Sequence, residues 1–360
     1  MKTDYQQILQ LVYNLDLSNY AKSRNFIDGS VSMLSPYISR GLLSTKIVVD
    51  YLSSKHSNLN KFEKFIQELA WRDYWQIVWK YKNINNDIKR KQLDVRQFGI
   101  PKSILSASTG IEAIDKSINS LYETGYVHNH ARMYISSIIC NISKCHWKIP
   151  AQWFYYHLLD GDWGSNALSW QWVSGTNSSK KYYANQSNIN LFCHTNQKNT
   201  FLDLDYDKLT KIDIPIVLQE VEQPILKTTS IKFNKFDLDF KKPLLIYNYY
   251  NIDPKWKSDL NANRVFLIEP SLFMKYPVSK KAMNFAVDLA KNIPEINFYF
   301  GSFNQLSKDF SVDSIYYKEH PLNKHYEGNM DSRDWIFKEQ NYYPSFFKFW
   351  NSNKKILGFS

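Results

Sequence analysis

Several groups of side chains in this 360-residue chain have types and spacings that could do chemistry. Asn129, Arg132 and Met133 stand at i, i+3 and i+4, so one helix face would present an amide, a guanidinium and a soft thioether. Asp160 and Asp162 lie two apart in LLDGDWGSN, with Asn166 four residues beyond Asp162. Two carboxylates suggest a glycosidase pair, but across a glycine-containing turn they diverge too readily to flank one bond. Glu68, Trp71, Arg72, Trp75 and Trp79 fall at i, i+3, i+4, i+7 and i+11, along one face of one helix. The plainer reading of that face is a buried amphipathic stripe. Ser30, Ser32 and Ser35 gather around Pro36 and by themselves read as helix caps. His128, His130, Cys140, Cys145 and His146 form an HxH followed by Cys-x4-Cys-His, which does not match a usual zinc spacing, so no metal is expected.

These groups need elements to hold them. Residues 1–200 read as helical: Lys61–Lys82 and Gly110–Tyr122 carry apolar residues at three- and four-residue spacing. The expected N-caps are Ser35 before Pro36, and Ser108 or Thr109 before Gly110. From 201 to 242 the chain mixes Pro215, Pro224, scattered acids and β-branched residues without a helical period, and reads as a surface linker. Beyond it, Leu244–Tyr250, Arg264–Ile268, Ile296–Phe300 and Ser314–Tyr317 look like buried strands, alternating with a helical pattern at Ser279–Asn292. That alternation predicts a small parallel α/β layer over residues 243–360. The aromatic tail Asp331–Trp350 is expected to pack back on the protein.

Composition sets limits. At 44% hydrophobic and 22% charged the chain is an ordinary globular one. No run approaches 18 apolar residues, so no membrane span is expected, and the polar start MKTDYQQILQ carries no signal-peptide core. Three cysteines are too few for a disulfide framework or a four-cysteine cluster, which makes the cytoplasm the default compartment. The net charge of +11 is uneven: residues 1–200 hold 23 Lys/Arg against 14 Asp/Glu, or +9, leaving 22 against 20, or +2, for the rest. Basic excess in one half suggests that half faces a polyanion. Eight of eleven tryptophans also lie before residue 200, more than a helical core usually needs. No GxGxxG follows a strand and no GxxxxGK[ST] occurs, so a Rossmann turn and a P-loop are excluded.

Three stretches together carry a family resemblance. Asp28–Gly41, DGSVSMLSPYISRG, resembles a TSxLSPYxxxG segment; Glu68–Tyr74, ELAWRDY, resembles an ELxWRE(F/Y) helix; and Gly125–Lys180 resembles a GYxHNRxRM…LLDxDxxSNxxxWQWxxG block. In this order and spacing they are similar to the FAD-binding helical domain of the photolyase/cryptochrome family, over residues 20–190. The resemblance implies a mainly α protein: a helical FAD-binding domain at 1–200, the linker at 201–242, and a small α/β parallel-sheet domain at 243–360. It implies FAD as cofactor, its phosphates served by hydroxyl and backbone donors near a helix start at Ser30, Ser32, Leu34 and Ser35. Arg72, Asn129, Arg132, Asp160, Asp162 and Asn166 would complete the cofactor set, with Asp160 pairing Arg132 beside the ring and Asn166 facing flavin N5. It implies an electron relay in which Trp170 is the flavin-proximal rung and Trp147 the middle one. No tryptophan aligns with the usual outer rung before Gly110, leaving a tyrosine, Trp75 or Trp79 as substitutes.

The same resemblance assigns a substrate. Glu68 and Trp71 match the residues that hydrogen-bond and stack on a flipped pyrimidine dimer, and Met133 and Trp172 match further pocket positions. His128–Asn129, rather than paired histidines, fits the cyclobutane-dimer branch over the 6–4 branch. The family's α/β domain normally precedes the helical one. Here VFLIEPSLFMKYPVSKKAMNFAVDLAK, YKEHPLN…DSRDW and PSFFKFW are similar to parts of that domain, which suggests a displacement to the C-terminus like a circular permutation. At about 110 residues this segment is short, which argues against an antenna chromophore. The expected protein is a monomeric photolyase acting on damaged DNA. The alternatives are a cryptochrome-like photoreceptor without repair, and a flavoprotein with neither activity.

Overall fold

The computed structural model describes residues 1–229, 238–310, 314–338 and 340–359; residues 230–237 of the expected linker and residue 339 of the tail lie outside the described residues. The chain is mainly helical with one five-stranded parallel sheet, and it divides into two compact units that interleave along the sequence. One comprises residues 16–31 and 81–226; the other comprises 1–15, 32–80 and 227–360. The boundaries at 200 and 243 therefore mark changes of composition and secondary structure, whereas the compact units recombine segments from both sides. No described helix is long and apolar enough to cross a membrane.

In the 16–31/81–226 unit the helices are Glu112–Thr124, Asn129–Ser137, Lys148–His157, Trp163–Val173 and Gln186–Cys193, with shorter turns between them. A two-residue antiparallel pair joins β1, Ile100–Pro101, to β2, Val221–Glu222. The cap expected at Ser108 or Thr109 is not used. The Glu112–Thr124 helix starts after Ile111, and the Asp115 carboxylate accepts from the Thr109 N–H (2.8 Å), the Thr109 hydroxyl (2.7 Å) and the Gly110 N–H (3.2 Å). An acid inside the first turn has replaced a hydroxyl before it, which also suits the helix dipole. Gly125 ends this helix at φ +71°, the left-handed cap that glycine adopts without strain. A Cβ there would meet Leu159 Cγ at 2.7 Å, so glycine also permits the close approach of residues 125 and 159. After Ser137 the chain makes a π-helical turn, Ile138–Ile142, where the Asn141 amide donates to Val173 O at 3.1 Å and Tyr182 O at 2.7 Å.

In the other unit, β3 (Leu244–Tyr247), β4 (Asn263–Ile268), β5 (Ile296–Phe300), β6 (Ile315–Lys318) and β7 (Asn329–Asp331) form a parallel sheet in the order β5-β4-β3-β6-β7. Continuous apolar runs suit strands buried on both faces, and β3 is buried at every position. One face packs Leu244, Ile246, Val265 and Leu267 against Phe303, Leu306 and Tyr326. Burial fails at the edge: β5 is only half-covered because a single neighbour flanks it. Lys280–Ala290 forms the expected helix, with the Ser279 hydroxyl accepting from Ala282 N, and buries Met283, Phe285, Ala286 and Leu289.

The same unit contains the 19-residue helix Glu63–Tyr81, whose buried residues include Phe65, Ile66, Leu69, Ala70, Trp75 and Trp79. It also contains the short helix Ser35–Ser39, in which Ser35 is the first helical residue and not the cap; the cap position falls to Leu34, which makes no side-chain capping bond. Pro36 then falls at the second helical position, still within the first turn, where its missing N–H would be unpaired anyway. After this helix the chain docks against the segment following β3. The Ile252 N–H donates to Arg40 O at 3.0 Å, and the fully buried Arg40 guanidinium lies 3.7 Å over the Tyr249 ring. Gly41, at φ +64°, allows this approach, since a Cβ would sit 2.4 Å from Tyr250 O.

Candidate functional site

In the 16–31/81–226 unit the helix Asn129–Ser137 carries Asn129, Arg132 and Met133 as the spacing predicts, with Arg132 and Met133 half-buried and Asn129 exposed. The close approach at Gly125 aligns this helix with the turn Leu158–Asp162, and the Leu159 N–H donates to Gly125 O at 2.9 Å. Arg132 can then reach Asp160, 28 residues away: its Nη2 donates to Oδ2 at 2.9 Å and Oδ1 at 3.1 Å, while its Nε donates to Val127 O at 2.7 Å. The Asp160 side chain is 4% exposed and that of Arg132 21%. Such a charge-assisted clamp fixes the plane of the guanidinium. His128 beside it is held neutral: burial, reinforced by His130 and Arg132, pushes its pKa down to about 4.

Asp162 caps the Trp163–Val173 helix by accepting from Ser165 N at 2.7 Å. Asn166, one turn on, donates from its amide nitrogen to Ala151 O at 2.7 Å, which sets the amide's orientation. Ser165 Oγ between them is buried without a hydrogen-bond partner. Trp170 is buried and meets Phe154 edge-to-face at 5.4 Å, whereas Trp172 on the same helix is 38% exposed beside Tyr182. Trp147 is fully buried, and its indole N–H donates to Asp87 Oδ1 at 2.6 Å. Asp87, which also accepts from Gln92 N at 2.8 Å, was not singled out in the sequence; nothing in NINNDIKR marks it, because its partner lies 60 residues away. The Ser30 N–H donates to Ser23 Oγ at 3.0 Å.

Ser32, Leu34, Ser35, Glu68, Trp71 and Arg72 belong to the other unit. Leu34 is fully buried, and Ser32 Oγ accepts a long bond from its N–H at 3.4 Å. Arg72 donates from Nη1 to Ser39 Oγ at 2.7 Å. Glu68 is half-buried and pairs with Lys64 at 3.5 Å, as an i,i+4 pair on a helix does. Trp71 stacks face-to-face on Phe346 of the helix Phe346–Asn353, with centroids 3.7 Å apart and planes 10° from parallel. The expected face of five residues is thus split: Trp75 and Trp79 are core, while Glu68, Trp71 and Arg72 remain partly accessible.

Asp73, next to Arg72, is the most perturbed acid of this helix. Burial pushes its carboxyl up to about 6, against hydrogen bonds from the Ile336 N–H (3.0 Å) and the Thr45 hydroxyl (2.8 Å) and the charges of Arg333 and Arg72. A folded-state pKa above the unfolded one means the folded chain holds this proton more tightly. The resulting penalty is absent at low pH, appears as pH rises from about 4 through 6, and levels off at on the order of 3 kcal/mol. Asp73→Asn is therefore expected to gain on the wild type by about that amount between acid and neutral pH, read by urea unfolding of both proteins across the range. A pH-independent difference would mean the carboxyl is solvated.

Comparisons with known proteins bear on both units. Residues 65–211 match the family described as the FAD binding domain of DNA photolyase. The chain is 28% identical over 178 residues to the mitochondrial deoxyribodipyrimidine photo-lyase of Saccharomyces cerevisiae, covering 45% of this chain and 32% of that protein. It is 30% identical over 172 residues to the deoxyribodipyrimidine photo-lyase of Streptomyces griseus, covering 45% and 36% respectively. The chain thus spans about a third of the length of the curated relatives it matches. Among solved structures, it aligns with a cryptochrome of Synechocystis sp. PCC6803 at a TM-score of 0.48 and 22% identity, over 53% of this chain and 44% of that one. It aligns with a bacterial class III photolyase from Agrobacterium tumefaciens at a TM-score of 0.41 and 26% identity, over 48% and 38%. Over residues 65–211 this chain is thus similar to the FAD binding domain of DNA photolyase and to the photolyases that share that segment.

Proposed function

We propose that this chain is a light-dependent, FAD-containing DNA photolyase that splits cyclobutane pyrimidine dimers. The observation that carries the reading is the clamped Arg132–Asp160 pair, with the Asp162–Asn166 turn following Asp160 in the chain. This donor set suits a flavin. Arg132 offers a fixed positive charge for electron density on a ring, Asn166 an oriented amide that can serve more than one redox state, and Ser165 Oγ a buried hydroxyl still without a partner. Asp162 holds the first turn of its helix in register. Bound reduced FAD would supply the light-absorbing electron donor. Trp170 and Trp147 are proposed as relay rungs, and Asp87 is positioned to take the proton of Trp147 Nε1 when that indole is oxidised. Ser30, Ser32, Leu34, Ser35, Arg72 and Asn129 are proposed as further cofactor contacts on the strength of their motifs. Glu68, Trp71, Met133 and Trp172 are proposed to receive the dimer.

One observation favours the alternative, a cryptochrome-like photoreceptor without repair: a face of the Trp71 ring already carries the Phe346 ring. The two readings part in one experiment. Reduced, FAD-loaded protein is illuminated with blue light in the presence of a dimer-containing oligonucleotide, and intact thymines are counted. Repair is expected. Base stacking is worth roughly 1–3 kcal/mol, so Trp71→Ala should weaken binding of the damaged strand by roughly tenfold or more, and Glu68→Ala should slow repair. Undiminished dimers together with normal flavin photoreduction would transfer the chain to the photoreceptor reading.

A further inference from the structure

The parallel sheet reverses its winding between β3 and β6. The chain leaves β3 for β4 and β5 on one side, then returns to place β6 and β7 on the other. Carboxyl ends of strands at such a reversal diverge and leave a crevice, the usual ligand position in open α/β sheets. Here a cavity of about 40 Å³ opens at that point, lined by Tyr250 and Asn251 after β3 and by Lys318, Glu319 and His320 at the end of β6. It lies wholly within the unit that contains the sheet, and none of the flavin chemistry above calls on Asn251 or His320.

Two side chains lining this cavity are more than nine-tenths buried and lack partners. Asn251 is 5% exposed, with both its amide nitrogen and its amide oxygen unpaired; His320 is 8% exposed, with Nε2 unpaired. The His320 tautomer follows from its other nitrogen. Nδ1 accepts from the Leu322 N–H at 3.2 Å, so in the neutral ring the proton sits on Nε2, as a buried donor without an acceptor. The ring is held by stacking on Tyr250 at 4.2 Å and by the edge of Trp79 at 5.1 Å. Asn251 is presented by a tight turn in which Asn248 and Asn251 exchange backbone bonds and the Tyr250 N–H donates to Asn248 Oδ1. Buried polar atoms of this kind cost about 1–3 kcal/mol each when left unmade, so three in one cavity call for an occupant.

The surroundings select its chemistry. Two of the lining carboxylates have cationic partners: Glu319 accepts from Lys80 at 2.7 Å and also from Trp335 Nε1, and Asp334 from Lys318 at 2.9 Å. Arg333, also on the wall, donates at 2.9 Å to Gln76 Oε1, a neutral acceptor. The third lining carboxylate, Asp73, accepts from the Thr45 hydroxyl and the Ile336 N–H, so the unpartnered lining atoms are two donors, His320 Nε2 and the Asn251 nitrogen, and one acceptor, the Asn251 oxygen. Water needs about 10–15 Å³ of such space, so this volume suits two to four atoms of oxygen size. We propose that the crevice binds a small oxyanion that keeps a hydroxyl, a hydrogenphosphate group, whose bare oxygens accept from His320 and Asn251 and whose O–H donates to Asn251 Oδ1. Free orthophosphate and the phosphate end of a nucleotide share this chemistry, the nucleotide in its singly protonated form, which is well populated at about pH 6 and below.

The test is thermal unfolding of the full chain in a zwitterionic buffer at about pH 6, where a nucleotide phosphate keeps a hydroxyl, titrated with inorganic phosphate, with adenosine monophosphate, or with sulfate at matched ionic strength. Phosphate is expected to raise the midpoint saturably. Sulfate, which has no hydroxyl at this pH, should half-saturate at a concentration at least about tenfold higher, because a site built around an O–H discriminates against its absence. His320→Phe, which keeps the ring on Tyr250, and Asn251→Leu should each abolish the saturable part. Should either variant fail to fold, equilibrium dialysis of labelled phosphate against the unaltered chain reads the same binding. Tighter binding of adenosine monophosphate than of phosphate identifies the source as a nucleotide, and the reverse identifies free phosphate. Equal, non-saturating shifts with phosphate and sulfate, or no retention on dialysis, would overturn the proposal and leave water as the occupant.

Discussion

Asp160→Ala is expected to lower the unfolding free energy of the chain by about 3 kcal/mol, and the protein is expected to retain little FAD. Removing one member of a buried pair costs about 3–5 kcal/mol because the other charge is left without compensation. The low end applies here, since Arg132 keeps about a fifth of its side chain exposed and still donates to Val127 O. Asp160→Asn should fall between, because an amide oxygen still accepts from Nη2 but carries no charge. Urea unfolding gives the stability term; flavin absorbance after reconstitution and gel filtration gives the cofactor term. If Asp160→Ala unfolded within about 0.5 kcal/mol of the wild type, the pair would count as a surface ion pair rather than a clamp. If stability fell but flavin content did not, Arg132 would be structural only.

Trp170→Phe is expected to slow photoreduction of the bound flavin by at least about tenfold while leaving the fold intact, because phenylalanine preserves the buried ring but gives up the readily oxidised indole. Trp170 is 3% exposed and edge-on to Phe154, a contact phenylalanine can keep. Trp147→Phe should have a similar effect on photoreduction, together with a loss of stability, because it leaves the Asp87 carboxylate without its indole donor. The check is blue-light illumination of oxidised protein with an external electron donor, followed by absorbance. Reduction with dithionite serves as the control and should be unaffected. Unchanged photoreduction in both variants would remove these tryptophans from the relay. It would turn attention to other aromatics of the same unit, such as Trp153 and Tyr122, which meet at 6.1 Å.

Much of the local structure was legible beforehand. The apolar spacing over Lys61–Lys82 corresponds to the helix Glu63–Tyr81, and the run expected at Ile296–Phe300 is β5 to the residue. Ser279 caps the helix it precedes. Each of these depends on neighbours within a few positions, where backbone geometry and hydrophobic periodicity act directly. The misplaced caps had the same local origin. Ser35 and Thr109 are good capping types, but the first helix already includes Ser35, and before the second the Asp115 carboxylate takes the N–H groups of Thr109 and Gly110.

The relation among distant side chains is a different matter. By itself the sequence determined the helices, the strands, the presence of Arg132 and Asp160 in motifs 28 residues apart, and the family to which those motifs point. The tertiary structure alone decided that Phe346 covers a face of Trp71 from 275 positions away, that Asp87 receives the Trp147 indole, and that Asn251 and His320 line one crevice with their polar atoms unmet. The reason is physical: a periodicity of two or 3.6 residues records which side of an element is apolar, but not which surface it meets. That is set by the closure of long loops around a sheet whose strand order reverses at β3.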